Sequence, residues 1–119
     1  MTNMRVHNRV AYREKLECYH YYSVDGQRHP FKEVVQMEVF DLSLGGLGIV
    51  TKYQFPEDII LEFTFYLEAI PYQVMALIKW VNTNDIFYRY GLEILGHNNM
   101  LFRHLQQYVN GKRISGTSF

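Results

Sequence analysis

The stretch KEVVQMEVFDLSLGGLGIVTK, residues Lys32 to Lys52, decides how this chain folds. Its first half alternates: Val35, Met37 and Val39 fall on one side, Gln36 and Glu38 on the other, the period of a strand with one buried face. LGIVTK, at the other end, is a short apolar run suited to a further strand. Between them DLSLGG, Asp41 to Gly46, sets an acid, a hydroxyl and two glycines in a corner, where a plain turn needs only one of these. Two strands joined by such a corner predict an antiparallel pair. The corner's polar side chains then serve either the turn itself or a ligand.

On the N-terminal side, LECYHYYSV (Leu16 to Val24) predicts a first strand, ended by the turn Asp25-Gly26, with His29-Pro30 opening the second. On the far side Phe55-Pro56-Glu57-Asp58 reads as a loop. From Ile59 to Leu67 alternation is clear, with Ile59, Leu61, Phe63, Phe65 and Leu67 on one face. Ile70-Pro71 is expected to break that strand, and Tyr72 to Val81 predicts a fifth, with Val74, Ala76, Ile78 and Trp80 on one side. Asn82 to Asp85 is a polar turn, and FYRYGLEI, Phe87 to Ile94, supplies the sixth strand. The period then changes: Leu101, Leu105 and Tyr108, flanked by Phe102 and Val109, predict a helix with Asn98 or Asn99 as N-cap and Gly111 as C-cap. Six strands and one terminal helix point to an all-β, six-stranded antiparallel barrel with the helix packed on an open end or seam. The expected division is an arginine-bearing, flexible arm over residues 1–15, the barrel with its helix over 16–111, and a disordered tail over 112–119.

Composition narrows the function. At 119 residues, 48% of them apolar and 16% aromatic, the chain holds one domain with a single core. No apolar run reaches the length of a spanning helix, and MTNMRVHNRV has no secretion-signal core, so a cytoplasmic protein is expected. Cys18 has no cysteine to pair with and reads as a buried strand residue. His7, His20, His29, His97 and His104 show no metal-ligand spacing. The zero net charge hides basic ends around an acidic body. Arg5, Arg9, Arg13 and Lys15 stand against Glu14 alone, Lys112 and Arg113 follow the helix, and eleven acids face six bases between. That pattern excludes the broad basic face of a DNA-coating protein but leaves an arm able to grip a small anion.

Arg9 and Arg13 stand four apart in RVAYR, with Arg5 four earlier. On a helix or tight turn this spacing brings the guanidinium forks to one side, where they can hold phosphates bidentately and stack on a purine. A solvated basic arm explains the same residues. In the corner, Asp41 can accept hydrogen bonds from a guanine edge and Ser43 can donate or accept. Gly46, and Gly45 beside it, would give a backbone of positive φ and close approach. An Asx or ST turn, with those side chains bonded to their own backbone, is the competing explanation. Trp80 is read as core rather than as a stacking platform. Glu62 and Glu68 are too far apart along a strand for joint acid–base work, and Ser43 has no nucleophile elbow, so an enzyme is not expected.

Taken together, RVAYR, a strand, a second strand ending in DxSxxG (Asp41, Ser43, Gly46), and ALIKWVNTNDIFYRYGLEIL before a helix resemble the PilZ domain, a family of bacterial cyclic di-GMP (c-di-GMP) receptors. The resemblance runs from about Arg9 to about Asn110. It implies a barrel whose N-terminal arm folds over c-di-GMP against the corner. Arg9 and Arg13 would contact phosphates and guanine faces, Asp41 and Ser43 would read guanine edges, and Gly46 would shape the turn. Asn8, where the family often has a basic or amide-rich residue, together with Arg5 and Gly45 complete the candidate set; one ligand or an intercalated pair both remain open. The expected output is ligand-induced ordering of the arm and a changed surface toward a motility or exopolysaccharide partner, with the FYRY strand as a homodimer face. The alternatives are a PilZ-like scaffold that binds protein but no nucleotide, and a small barrel that binds single-stranded RNA through its tyrosines.

Overall fold

The computed structural model describes residues 9–84, 86–96 and 98–117, with side chains as far as Gly111. Six strands, β1 (Val10–Tyr22), β2 (Arg28–Leu42), β3 (Gly46–Thr51), β4 (Ile60–Leu67), β5 (Ile70–Thr83) and β6 (Tyr88–Ile94), precede one helix, α1 (Asn99–Thr117). They close into an antiparallel barrel in the order β1-β2-β3-β6-β5-β4. The alternation read from the sequence is the one that fills it. Val35, Met37 and Val39 of β2 and Leu61, Phe63, Phe65 and Leu67 of β4 are all buried, beside Ile49, Val74, Leu92 and Ile94. Among the described residues closure leaves no outermost strand, each having a neighbour on both sides over part of its length.

α1 covers one end of the barrel. Asn98 caps it, its Oδ1 accepting from the Leu101 amide at 3.0 Å, and Leu101, Leu105 and Val109 are buried. Tyr108 meets Tyr12 of β1 edge to face at 5.4 Å between centroids. His104 ties the helix to the β4–β5 turn: Tyr72 Oη lies 2.7 Å from its Nδ1, and its Nε2 lies 3.0 Å from Glu68 Oε1.

Four local readings differ from the structure. β1 begins at Val10 rather than Leu16, so Arg13 and Lys15 lie on a strand; half-buried Glu14 at an inward-facing position interrupts the apolar pattern there. β5 begins at Ile70 and includes Pro71, which pairs with Tyr66. Its pairing with β6 starts only at Ala76, so no ladder wants the proton that proline lacks. The turn is the two residues Glu68 and Ala69, both at positive φ (51° and 71°). Finally, α1 runs through Gly111 to Thr117, so that glycine is not a cap and the segment expected to be a tail is helical up to that residue.

Cys18 is fully buried on β1, and its thiol contacts the carbonyls of His20 and Glu62. Burial pushes its pKa up to about 11. Among the described residues no helix is long and apolar enough to cross a membrane, and no three His, Cys, Asp or Glu side chains converge on a common point.

Candidate functional site

The corner after β2 is a short backbone turn. The Ser43 amide donates to the Gly46 carbonyl at 3.0 Å, and the Ile94 amide donates to the Gly45 carbonyl at 3.1 Å, fastening the corner to β6. Backbone groups alone therefore hold the turn, and among the described residues neither Asp41 nor Ser43 bonds it with a side chain. The Asx-turn and ST-turn explanations fall away, and the Ser43 hydroxyl is left without a protein partner among the described residues.

Gly46 earns its place differently from the expectation. Among the described glycines positive φ belongs to Gly26 and Gly96. At Gly46 a side chain would collide with the Leu92 carbonyl on β6. Glycine is needed there for close approach of two strands, not for turn handedness.

Asp41 turns its carboxylate to Arg9. Arg9 Nη1 donates to Oδ1 at 3.2 Å and to Oδ2 at 3.3 Å, across the β1–β2 pair in which Ala11 stands opposite Asp41. The arginine side chain is 47% exposed and the aspartate 19%, so the pair is worth less than about 1 kcal/mol and an anionic ligand can displace it. The Arg9 guanidinium also lies 5.9 Å from the centre of the Trp80 ring.

Trp80 is not a core residue. A register shift between Ile78 and Trp80 in the β5–β6 ladder moves it out of the inward set. Its indole lies over Gly91 of β6, where even a methyl group would overlap the ring. Together with Arg9, Ser43, Gly45, Gly46 and Lys79, Trp80 lines a cavity of about 300 Å³, the low end for a small-molecule site. Lys79 pairs with Glu93 at 3.5 Å on its rim. Sequence reasoning missed Trp80 here; Gly91, a glycine inside a strand pattern, is the signal that something large lies over that position.

Arg13 lies apart from this cavity. It sits on β1 with its guanidinium 3.5 Å from Glu38 of β2 and is 75% exposed. Arg9 and Arg13 still share the barrel's outer face, but because four is an even step along extended chain, not because of a helix or turn, and that step separates them by ~13 Å. Arg5 and Asn8 lie outside the described residues.

Residues 5–111 match the family model described as the PilZ domain. Among solved structures, the chain is similar to YcgR from Escherichia coli in complex with c-di-GMP (TM-score 0.67, 16% identity), covering 98% of this chain and 49% of that one. It is similar too to the PilZ domain of YcgR with c-di-GMP, also from Escherichia coli (0.63, 13%, covering 98% and 96%). A third likeness is to the Bacillus subtilis inhibitor of motility MotI/DgrA (0.62, 13%, covering 96% and 53%). The chain thus spans about half the length of YcgR and of MotI/DgrA. No curated protein matches it in sequence. With a family model matched over all but the ends of the chain, on a closed six-stranded barrel capped by a helix, this protein belongs to the PilZ domain family.

Proposed function

We propose that this chain is a c-di-GMP receptor whose site lies between Arg9 and the DLSLGG corner. The observation that carries the reading is the Asp41 carboxylate, turned away from its own turn and held by a half-exposed arginine, next to a Ser43 hydroxyl with no partner among the described residues. Membership of the PilZ family and the c-di-GMP in two similar structures support the choice of ligand. On binding, the ligand displaces the Arg9–Asp41 pair. Arg9 takes a phosphate or the N7/O6 edge of a guanine, which matches its planar fork, and Asp41 and Ser43 take the donors of a guanine edge. The indole of Trp80 offers a stacking surface for the base. Arg13 supplies a second cation once it leaves Glu38. Arg9, immediately before β1, is drawn over the ligand, and the changed surface is offered to a protein partner.

Titration calorimetry with c-di-GMP tests this. Arg9→Ala, Arg13→Ala and Asp41→Ala are each expected to weaken binding by ~1–3 kcal/mol, as lost charge-assisted hydrogen bonds do, and the affinity of the unaltered chain falls as salt rises. Unaltered affinity in all three variants would reject the assignment.

A further inference from the structure

β2 loses its partners in mid-strand. In the β1–β2 ladder Cys18 pairs with Val35 and His20 with Pro30, so Tyr19 alone stands against Phe31 to Val34. On the other side, β3 pairs with β2 only from Glu38 onward. Among the described residues the backbone of Phe31–Val34 therefore lies outside both neighbouring ladders, although the barrel is closed elsewhere. The Thr51 hydroxyl donates to the Gln36 carbonyl at 2.7 Å, which finishes the β2–β3 ladder with a side chain instead of another strand residue. Strand backbone left in this way presents hydrogen-bonding groups that a further extended chain can take up.

A groove of about 810 Å³ runs beside this stretch, large enough for a peptide segment, and its walls say what kind. Lys15, Lys32 and Lys52 line it, all exposed, and among the described residues none has a carboxylate within ion-pair reach. Lys52 lies 5.8 Å from the ring centre of Phe87. Of the two acids on the rim, Glu38 is taken by Arg13, which leaves Glu33 against three cations. The apolar surface is exposed Tyr53 and Phe87 with half-buried Val34. Unpaired strand backbone, uncompensated lysines and aromatic walls fit an extended chain with alternating acidic and apolar side chains. Main-chain bonds would give such a chain its affinity, and alternate side chains its specificity.

We propose that β2 between Phe31 and Gln36 is a docking edge at which an extended acidic segment of a partner protein adds a strand, its carboxylates toward Lys15, Lys32 and Lys52 and its apolar side chains against Val34, Tyr53 and Phe87. The experiment is done without nucleotide. A capped seven-residue peptide alternating valine and glutamate is titrated into the whole chain, followed by amide NMR and calorimetry. The expected result is binding that shifts the amides of Val34 and Gln36 and leaves those of Asp41 and Ser43 in place. The double variant Lys32→Glu/Lys52→Glu, both positions exposed so that circular dichroism stays unchanged, should bind at least about tenfold more weakly. The same peptide N-methylated at alternate residues keeps its charge but not its strand donors, and should not bind; nor should a valine–lysine peptide. The proposal is overturned if the N-methylated or the lysine peptide binds as well as the parent, if the shifts fall at the corner instead, or if the parent does not bind at about millimolar concentration.

Discussion

The arginines of RVAYR are each held by an acid of β2, and the exposure of those pairs sets how easily a ligand can claim them. Arg13–Glu38 is the looser, at 3.5 Å with the arginine three-quarters exposed. Such a pair contributes about 0.2–1 kcal/mol, so removing Glu38 frees Arg13 at little cost to folding. Glu38→Gln is expected to tighten c-di-GMP binding by about 1.5- to 5-fold, the same energy expressed as affinity; weaker binding in calorimetry would place Arg13 outside the site. Trp80 gives a second handle, because it is the one tryptophan in the chain. A guanine stacked on its indole should quench its emission in step with binding. Emission unchanged at saturating nucleotide would put the base elsewhere. Asp41, Ser43 and the arginines were legible as candidates because their chemistry shows in residue type alone. Trp80 was not, because one irregular step in the β5–β6 ladder reverses which side of the strand a residue faces, and the alternation from Val74 onward gives no notice of that step.

The β4–β5 turn carries backbone strain for which a remedy is evident. Two-residue hairpins of this handedness favour Asn-Gly, yet here Glu68 and Ala69 both take positive φ. Tyr12 compensates: its hydroxyl donates to the Tyr66 carbonyl at 2.7 Å and accepts from the Glu68 amide at 3.0 Å, while His104 holds the Glu68 carboxylate. Ala69→Gly removes the steric penalty of the left-handed region and is expected to stabilise the fold by about 1 kcal/mol, a rise of about 4 °C in the thermal midpoint. Tyr12→Phe should lower stability by about 1–2 kcal/mol through the two lost bonds. Calorimetric melting checks both. All six strands and the helix were legible from period and turn chemistry. The errors fell where another element decides the matter. Glu14 at an inward-facing position hid the start of β1. Pro71 looked like a breaker because the absence of β6 beside it is a fact of tertiary structure. The four residues of β2 outside the ladders stand just before the alternating run that begins at Val35, with no glycine among them to announce the lost pairing.

The whole molecule is a barrel with ionisable groups buried (Cys18, Tyr90) or half-buried (Tyr12) in its wall, and its response to base follows. Burial raises the pKa of Cys18, to about 11, and those of Tyr12 and Tyr90 above the ordinary tyrosine value. Unfolding returns all three to lower values, so above about pH 9 the unfolded chain binds fewer protons than the folded one and stability falls as pH rises. Chemical denaturation at pH 7, 9 and 10.5 should show little change over the first interval and a loss over the second. Equal stability at all three would mean that these groups are not buried as described. By the same burial, Cys18 should resist alkylation at neutral pH until the chain is unfolded, which mass spectrometry reads directly.

Binding of c-di-GMP between Arg9 and the DLSLGG corner can be read by nitrogen–proton NMR of the labelled chain titrated with the nucleotide. Saturable shifts are expected at the amides of Asp41, Ser43 and Gly46 and at the Trp80 indole N–H, with the Val34 and Gln36 amides little moved. Corner and indole signals that stay in place at saturating nucleotide would mean that the pocket does not hold it.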